Sequence, residues 1–255
     1  MLVIAHRGSS GQAPENTMAS FRLAAEAGAD MIELDVRLTA DGALAVIHDR
    51  RLERTTDGRG PVRRRTARSL AALDAGGWFS RRFAGERVPL LEEVLEELPR
   101  SIGINIEVKT DGEPHWRSRM APAVVEAVRR HGHGRTLLVS SFNHPLLRRI
   151  RALDASVPTG ALAMPLRDVV LRRPSSHARR LAVSAFICSR SRLRKRHVVN
   201  AHACGLRVYV YGVNTARDLM RPRHFGVDGV ITDYPDRMLR LLGRKPVRHS
   251  SLHPL

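Results

Sequence analysis

A chain of 255 residues with 43% hydrophobic and 27% charged residues can bury a core and is not a disordered segment; its length suits one large α/β domain or two small ones. The formal charge of +18 raises nucleic acid or an anionic membrane as partners, yet only Lys109, Lys195 and Lys245 are lysines, and the other 40 basic residues are arginines spread over much of the chain, which argues for compositional bias and against a specific nucleic-acid arm. No apolar run approaches the roughly 18 residues of a transmembrane segment, and Met1-Leu2-Val3-Ile4 leads straight into a charged motif without a basic leader or cleavage site, so a cytoplasmic protein is expected.

Strand-like and helix-like runs alternate from end to end, the pattern of an α/β fold with a parallel sheet. Leu2 to His6 reads as a strand; Pro14-Glu15-Asn16-Thr17 opens a helix that stops at Gly28, and Ala29 to Val36 is the second strand. The turn Thr39-Ala40-Asp41-Gly42 is too short for a parallel crossover, so Ala43 to His48 returns antiparallel as a hairpin arm. From about Asp49 to Val88 regularity weakens, which marks a small inserted loop or cap region with one short helix at Ser69 to Leu73.

Regular units then resume. Helices are expected at Leu90–Leu98, Ala121–His131, Pro145–Leu153, around Arg167–Arg173, and at Lys195–Ala203, Ala216–Met220 and Pro235–Leu242. Strands are expected at Gly103–Lys109, Arg135–Phe142, Thr159–Ala163, Leu181–Ile187, Leu206–Val213 and Asp228–Asp233. Without the arm this makes eight strand-then-helix units, the count and size of a (β/α)8 TIM barrel, with a doubly wound sheet as the alternative. The expected organisation is a single catalytic domain over residues 1–242 and a flexible tail over 243–255. Arg190 to Arg196 reads as a solvated helix start. Cys188 and Cys204 are not spaced as zinc ligands and read as buried, reduced packing residues. The sequence carries no signal for an oligomeric state.

In Met31-Ile32-Glu33-Leu34-Asp35-Val36, strand alternation puts Glu33 and Asp35 on one face and Leu34 on the other. Burying neighbouring carboxylates is strongly unfavourable unless a cation or a shared proton compensates, and a divalent metal is the simplest answer. In Ile104 to Lys109 the same alternation places Asn105, Glu107 and Lys109 inward. His6, Glu33, Asp35, Glu107 and Lys109 all fall at C-terminal strand ends, where barrel active sites lie. Three inward carboxylates fit an oxygen-rich site for Mg²⁺ or Ca²⁺. With one such ion they leave a net charge of about −1, and Arg7 with Lys109 bring it to about +1, suited to a phosphodiester. His6 and His48 flank the cluster as candidates for proton transfer. The other ten histidines read as surface or packing residues, with His115 and His144 on the catalytic side.

His6-Arg7-Gly8, Pro14-Glu15-Asn16-Thr17, Glu33-Leu34-Asp35-Val36, Thr39-Ala40-Asp41-Gly42, His48-Asp49, Arg54-Thr55-Thr56-Asp57-Gly58 and Glu107-Val108-Lys109 stand in order and spacing. With Ser140-Ser141-Phe142, Val213-Asn214 and Gly229 to Pro235, the set resembles the glycerophosphodiester phosphodiesterases over nearly the whole chain. The resemblance implies a TIM barrel that hydrolyses glycerophosphodiesters to glycerol 3-phosphate and an alcohol. It implies His6 and His48 as the acid/base pair, Glu33, Asp35 and Glu107 as ligands of one Mg²⁺ or Ca²⁺, and Arg7 and Lys109 as phosphate contacts. Tyr211-Gly212 stands where the family often has Trp-Thr, which makes Tyr211 a candidate substrate contact.

Two other readings keep part of this centre. A lysophospholipase D-type enzyme would use Trp78, Phe79 and Phe83, beside Arg81 and Arg82, to hold an acyl chain. A catalytically idle barrel would use the excess charge to bind anions or nucleic acid, though no stacking aromatics are interleaved with the arginines.

Overall fold

Val3, Ile4 and Ala5 are fully buried within strand β1 (Leu2–His6), as expected of a strand covered on both faces of a parallel sheet. The computed structural model describes residues 1–110, 114–163, 174 and 180–244. The remaining strands are β2 (Met31–Leu38), β3 (Leu44–Val46), β4 (Gly103–Val108), β5 (Leu137–Ser141), β6 (Thr159–Leu162), β7 (Ala185–Ser189), β8 (Arg207–Tyr211) and β9 (Gly229–Thr232). β1 pairs with β2 on one side and β9 on the other, and the remaining pairings are parallel around the ring, so eight strands close a TIM barrel. β3 is the exception: it pairs antiparallel with the end of β2 and forms the hairpin arm.

The helices are α1 (Met18–Ala27), α2 (Ala67–Ala71), α3 (Leu91–Glu97), α4 (Pro114–His131), α5 (His144–Leu153), α6 (Lys195–His202), α7 (Ala216–Phe225) and α8 (Pro235–Leu241). Thr17 caps α1 by accepting from the Ser20 amide, and the left-handed Gly28 ends it. Between the arm and α3, Leu52, Val62, Leu70, Ala75 and Val88 bury a small core of their own against Ala45 and Ile47. Trp78, Phe79 and Phe83 lie there edge to face, with centroids 5.7 and 5.8 Å apart.

Residues paired across a parallel ladder share a face, so register identifies the barrel lining. Ile4 pairs with Met31 and Ile231, and with Leu138, Leu162, Ile187 and Tyr209 these side chains plug the lower barrel. One layer higher His6 pairs with Glu33 and Glu33 with Asn105; Asp35 then pairs with Glu107 and Glu107 with Ser140. The polar residues therefore stand on a dry apolar floor at the C-terminal strand ends. Alternate residues such as Leu34, Ile106, Phe186 and Val208 face outward and pack under the helices.

Several boundaries depart from the sequence reading. α4 begins at Pro114, not Ala121. α7 continues past Met220 to Phe225 because Pro222 packs into its buried face, and because a Thr215/Asp218 capping box and the left-handed Gly226 hold its ends. The apolar run from Leu181 precedes its strand: residues 180–181 are helical, Ala182 has φ 49°, and Leu181 and Val183 are buried under the helix layer. Cys188 is buried as expected, but Cys204 is exposed in the turn after α6. The helix expected around Arg167–Arg173 and the tail beyond Arg244 lie outside the described residues. Among those described, no helix is long and apolar enough to cross a membrane.

Leu34 is fully buried on the outer face of β2. Leu34→Ala is expected to cost about 2–5 kcal/mol through lost transfer energy and a residual cavity. Urea denaturation will read this as a lower midpoint, with the slope unchanged.

Candidate active site

The chain turns abruptly where β1 ends. Arg7 and Gly8 take positive φ values of 55° and 80°, and Asn16 follows at 58°. A Cβ on Gly8 would stand 2.4 Å from Ser20 Oγ and 2.6 Å from the Ser20 carbonyl carbon, so this position requires glycine twice over. Left-handed backbone at Arg7 and Asn16 costs of order 1–3 kcal/mol each. The turn is over-determined by hydrogen bonds: the Arg7 carbonyl accepts from the Asn16 amide and from Ser20 Oγ, both at 3.0 Å. The strain aims the Arg7 amide at Glu33 Oε2, 3.0 Å away, and Asn16 at Asp35, where Nδ2 donates to Oδ2 at 2.9 Å.

Glu33, Asp35 and Glu107 converge as the strand reading anticipates, with candidate ligand oxygens all within 4.8 Å of one another. All three are buried, at 2%, 1% and 9% exposure. Arg7 Nε lies 3.1 Å from Asp35 Oδ2; Lys109 Nζ lies 3.0 Å from Asp35 Oδ1 and also pairs with Glu107. Burial, then the neighbouring Asp35 charge, push the Glu33 carboxyl up to about 8 and raise Glu107 as well. For Asp35, burial is outweighed by Lys109 and Arg7, which pull it down to about 2. Glu33 Oε1 and Asn105 Oδ1 are buried acceptors without a hydrogen-bond partner, and Asp35 Oδ1 has only the Lys109 ammonium beside it. Buried polar atoms are almost always satisfied, so unpaired oxygens beside three converging carboxylates fit a hard divalent cation.

The two histidines stand at the rim, each backed by a carboxylate. His6 Nδ1 is 2.7 Å from Asp233 Oδ1, and Asp233 also accepts from Asn214 Nδ2 at 2.6 Å and Ser10 Oγ at 3.2 Å. His48 Nδ1 is 2.6 Å from Asp49 Oδ1. Burial lowers the His6 pKa, but the Asp233 hydrogen bond and the Glu33 charge more than reverse this. His48 is lowered by burial, with Arg7 and Lys109 opposing the pull of Asp35 and Asp49. Both backing carboxylates are held below the usual range, Asp233 by His6 against its own burial and Asp49 first by Arg54 and then by His48, so each Nδ1–H can donate to a carboxylate and leave Nε2 as the exchangeable atom.

Tyr211 is half-buried at the inward end of β8, with its hydroxyl bonded to Ser189; beside it, a Cβ at Gly212 would meet nothing within 4 Å. The partners that hold the site, Glu15, Asn16, Asp49, Arg54, Asn214 and Asp233, carry no assigned role in the sequence reading. They lie within its motif stretches, and position within a motif is the only sequence signal they offer.

A barrel mouth that surrounds an acidic hollow with arginine and lysine, and holds two imidazoles at its rim, suits an anionic ester: the class is a TIM-barrel phosphoric diester hydrolase. The chain belongs to the glycerophosphoryl diester phosphodiesterase family, whose model matches residues 6–237. It is 38% identical over 240 residues to YhdW of Bacillus subtilis, covering 94% of this chain and 97% of that one. It is 36% identical over 242 residues to a glycerophosphodiester phosphodiesterase of Caldanaerobacter subterraneus subsp. tengcongensis, with the same coverage. A phosphodiesterase of Oleispira antarctica, solved in complex with the product sn-glycerol-3-phosphate, superposes with a TM-score of 0.87 at 31% identity, covering 95% of this chain and 97% of that one.

Asp233→Asn keeps the shape behind His6 and removes the charge. The His6 pKa is expected to fall below its value in the unaltered protein, read by NMR titration of the imidazole C–H resonances.

Proposed function

We propose that the chain hydrolyses glycerophosphodiesters to glycerol 3-phosphate and an alcohol, with Mg²⁺ or Ca²⁺ held by Glu33, Asp35 and Glu107. The observation that carries this reading is the convergence of three buried carboxylates at the barrel mouth, with Glu33 Oε1 left unpaired. The glycerol 3-phosphate bound to the Oleispira antarctica relative supports the product. When bound, the cation supplies Lewis-acid polarisation of a phosphoryl oxygen.

The chain's own residues supply the rest. Arg7 and Lys109 bind the non-bridging oxygens and balance the charge. The attacking hydroxyl, from water or from the glycerol moiety, gives its proton to Nε2 of one histidine. The departing alkoxide takes a proton from Nε2 of the other; where the glycerol hydroxyl is the attacking group, water then opens the resulting cyclic phosphate with the two proton roles exchanged, so either route consumes one water in total. The raised His6 suits it to be the donor and the lowered His48 to be the acceptor. Tyr211 and the open space at Gly212 form the wall against the alcohol group.

The decisive assay measures glycerol 3-phosphate released from glycerophosphocholine and glycerophosphoethanolamine by metal-stripped protein, before and after adding Mg²⁺, Ca²⁺ or Mn²⁺. Release is expected only with metal; full activity without it would remove the metal from this reading. At 100 times its dissociation constant the cation should also stabilise the fold by about 2.7 kcal/mol, and Glu33→Gln should abolish that gain in a thermal melt.

His6→Ala and His48→Ala are each expected to lower turnover by about 10²- to 10⁴-fold. A base must be unprotonated, so His48 governs the rise of activity with pH. An acid must be protonated, so His6 governs the fall at higher pH. The limb that disappears from the residual pH profile of each variant checks the assignment.

A further inference from the structure

Arg54 sits in the segment between the hairpin arm and α3, outside the barrel, with 44% of its side chain exposed. An exposed arginine ordinarily makes one loose ion pair. This one uses both edges of its guanidinium. Nε donates to Asp49 Oδ2 at 2.6 Å and Nη2 to Asp49 Oδ1 at 3.1 Å. On the other edge Nη1 donates to Glu15 Oε2 and Nη2 to Glu15 Oε1, both at 2.8 Å.

Each carboxylate passes the contact on. Asp49 Oδ1 faces His48 Nδ1 at 2.6 Å, and Glu15 Oε1 accepts from Arg7 Nη1 at 2.8 Å. We propose that Arg54 is a positioning residue of the phosphodiesterase centre: by bridging the carboxylate that orients His48 to the carboxylate that orients Arg7, it sets the proton-transfer and phosphate-binding groups in one geometry. This rests on the roles assigned to His48 and Arg7 above. It also gives the segment after the arm a part in the chemistry, because that segment supplies the only side chain seen to join these two carboxylates among the described residues.

The geometry demands arginine. Four in-plane donors on two edges meet two carboxylates, and the three hydrogens of an ammonium radiate from one point and do not span them. The backbone at Arg54 does not depend on this clamp: Thr55 and Thr56 donate their amides to the Leu52 carbonyl, and Leu52 is buried in the segment's own core. Removing the side chain should therefore leave the turn standing.

The test compares Arg54→Ala, Arg54→Lys, His48→Ala and the control Arg51→Ala on one glycerophosphodiester with metal present. Arg51 is an exposed neighbour paired only with Glu53 in the described contacts. Displaced orienting partners typically cost about 10- to 100-fold in activity, and that loss is expected in kcat for both Arg54 variants, with melting midpoints matching Arg51→Ala. Methylguanidinium in the buffer should restore part of the rate of Arg54→Ala and none of His48→Ala. Turnover of Arg54→Ala equal to that of Arg51→Ala, while His48→Ala is impaired, overturns the clamp alone. So does full recovery by lysine, or a rate loss that tracks a lost melting midpoint without guanidinium rescue. Wild-type turnover in His48→Ala overturns the proton-transfer reading, and the clamp with it.

Discussion

Three carboxylates buried at the end of two strands constrain the rest of this molecule. An unpaired buried charge is among the costliest features a fold can carry, and here Glu33, Asp35 and Glu107 crowd one hollow above an apolar floor. The protein's own cations compensate only in part. Lys109 and Arg7 both lean toward Asp35 and pull it down to about 2 against its burial, while burial and then the Asp35 charge push Glu33 up to about 8. The sign follows directly. Between 4.5 and 8 the folded state holds a Glu33 proton that the unfolded chain releases, so without a cation this group makes the fold less stable as pH rises. The divalent cation proposed for this hollow would remove that penalty.

The same hollow explains the strained backbone beside it. A β-strand that ended normally would carry Arg7 away from the acids. The left-handed turn at Arg7 and Gly8 folds the amide back onto Glu33 and lets the guanidinium reach both Asp35 and Glu15. Its cost is offset by contacts from the start of α1, where Ser20, Asn16 and Thr17 occupy positions that serve helix capping and site geometry together.

The strand-borne half of the site was legible in the sequence because strands impose a period of two. Glu33 with Asp35, and Asn105 with Glu107, can share a face only if the strand is regular, and parallel register then brings the two strands level. His6 and Lys109 followed from the position of barrel sites at strand ends. The supporting half was not legible, because nothing periodic links its members. His6 meets Asp233 across 227 positions and Arg54 meets Glu15 across 39, through loops whose paths depend on closure of the whole barrel. The misplaced boundaries share this cause: Pro222 and the run from Leu181 obey tertiary burial over local propensity.

The two histidines show why those loop contacts matter. Their immediate contacts are alike, each an imidazole with a carboxylate on Nδ1, yet their wider surroundings drive them apart. His6 is raised against its burial chiefly by the hydrogen bond to Asp233, which Asn214 and Ser10 hold in turn. His48 sits toward Arg7 and Lys109, and the charge of Asp49 behind it is already shared with Arg54. A carboxylate that spends its lone pairs on a guanidinium draws less on an imidazole, and the two His–carboxylate pairs accordingly shift in opposite directions, which supports the donor and acceptor roles proposed for them. The difference between the two imidazoles therefore lies in their burial and in the charges around each ring and its carboxylate, and those surroundings are built in large part by the loops.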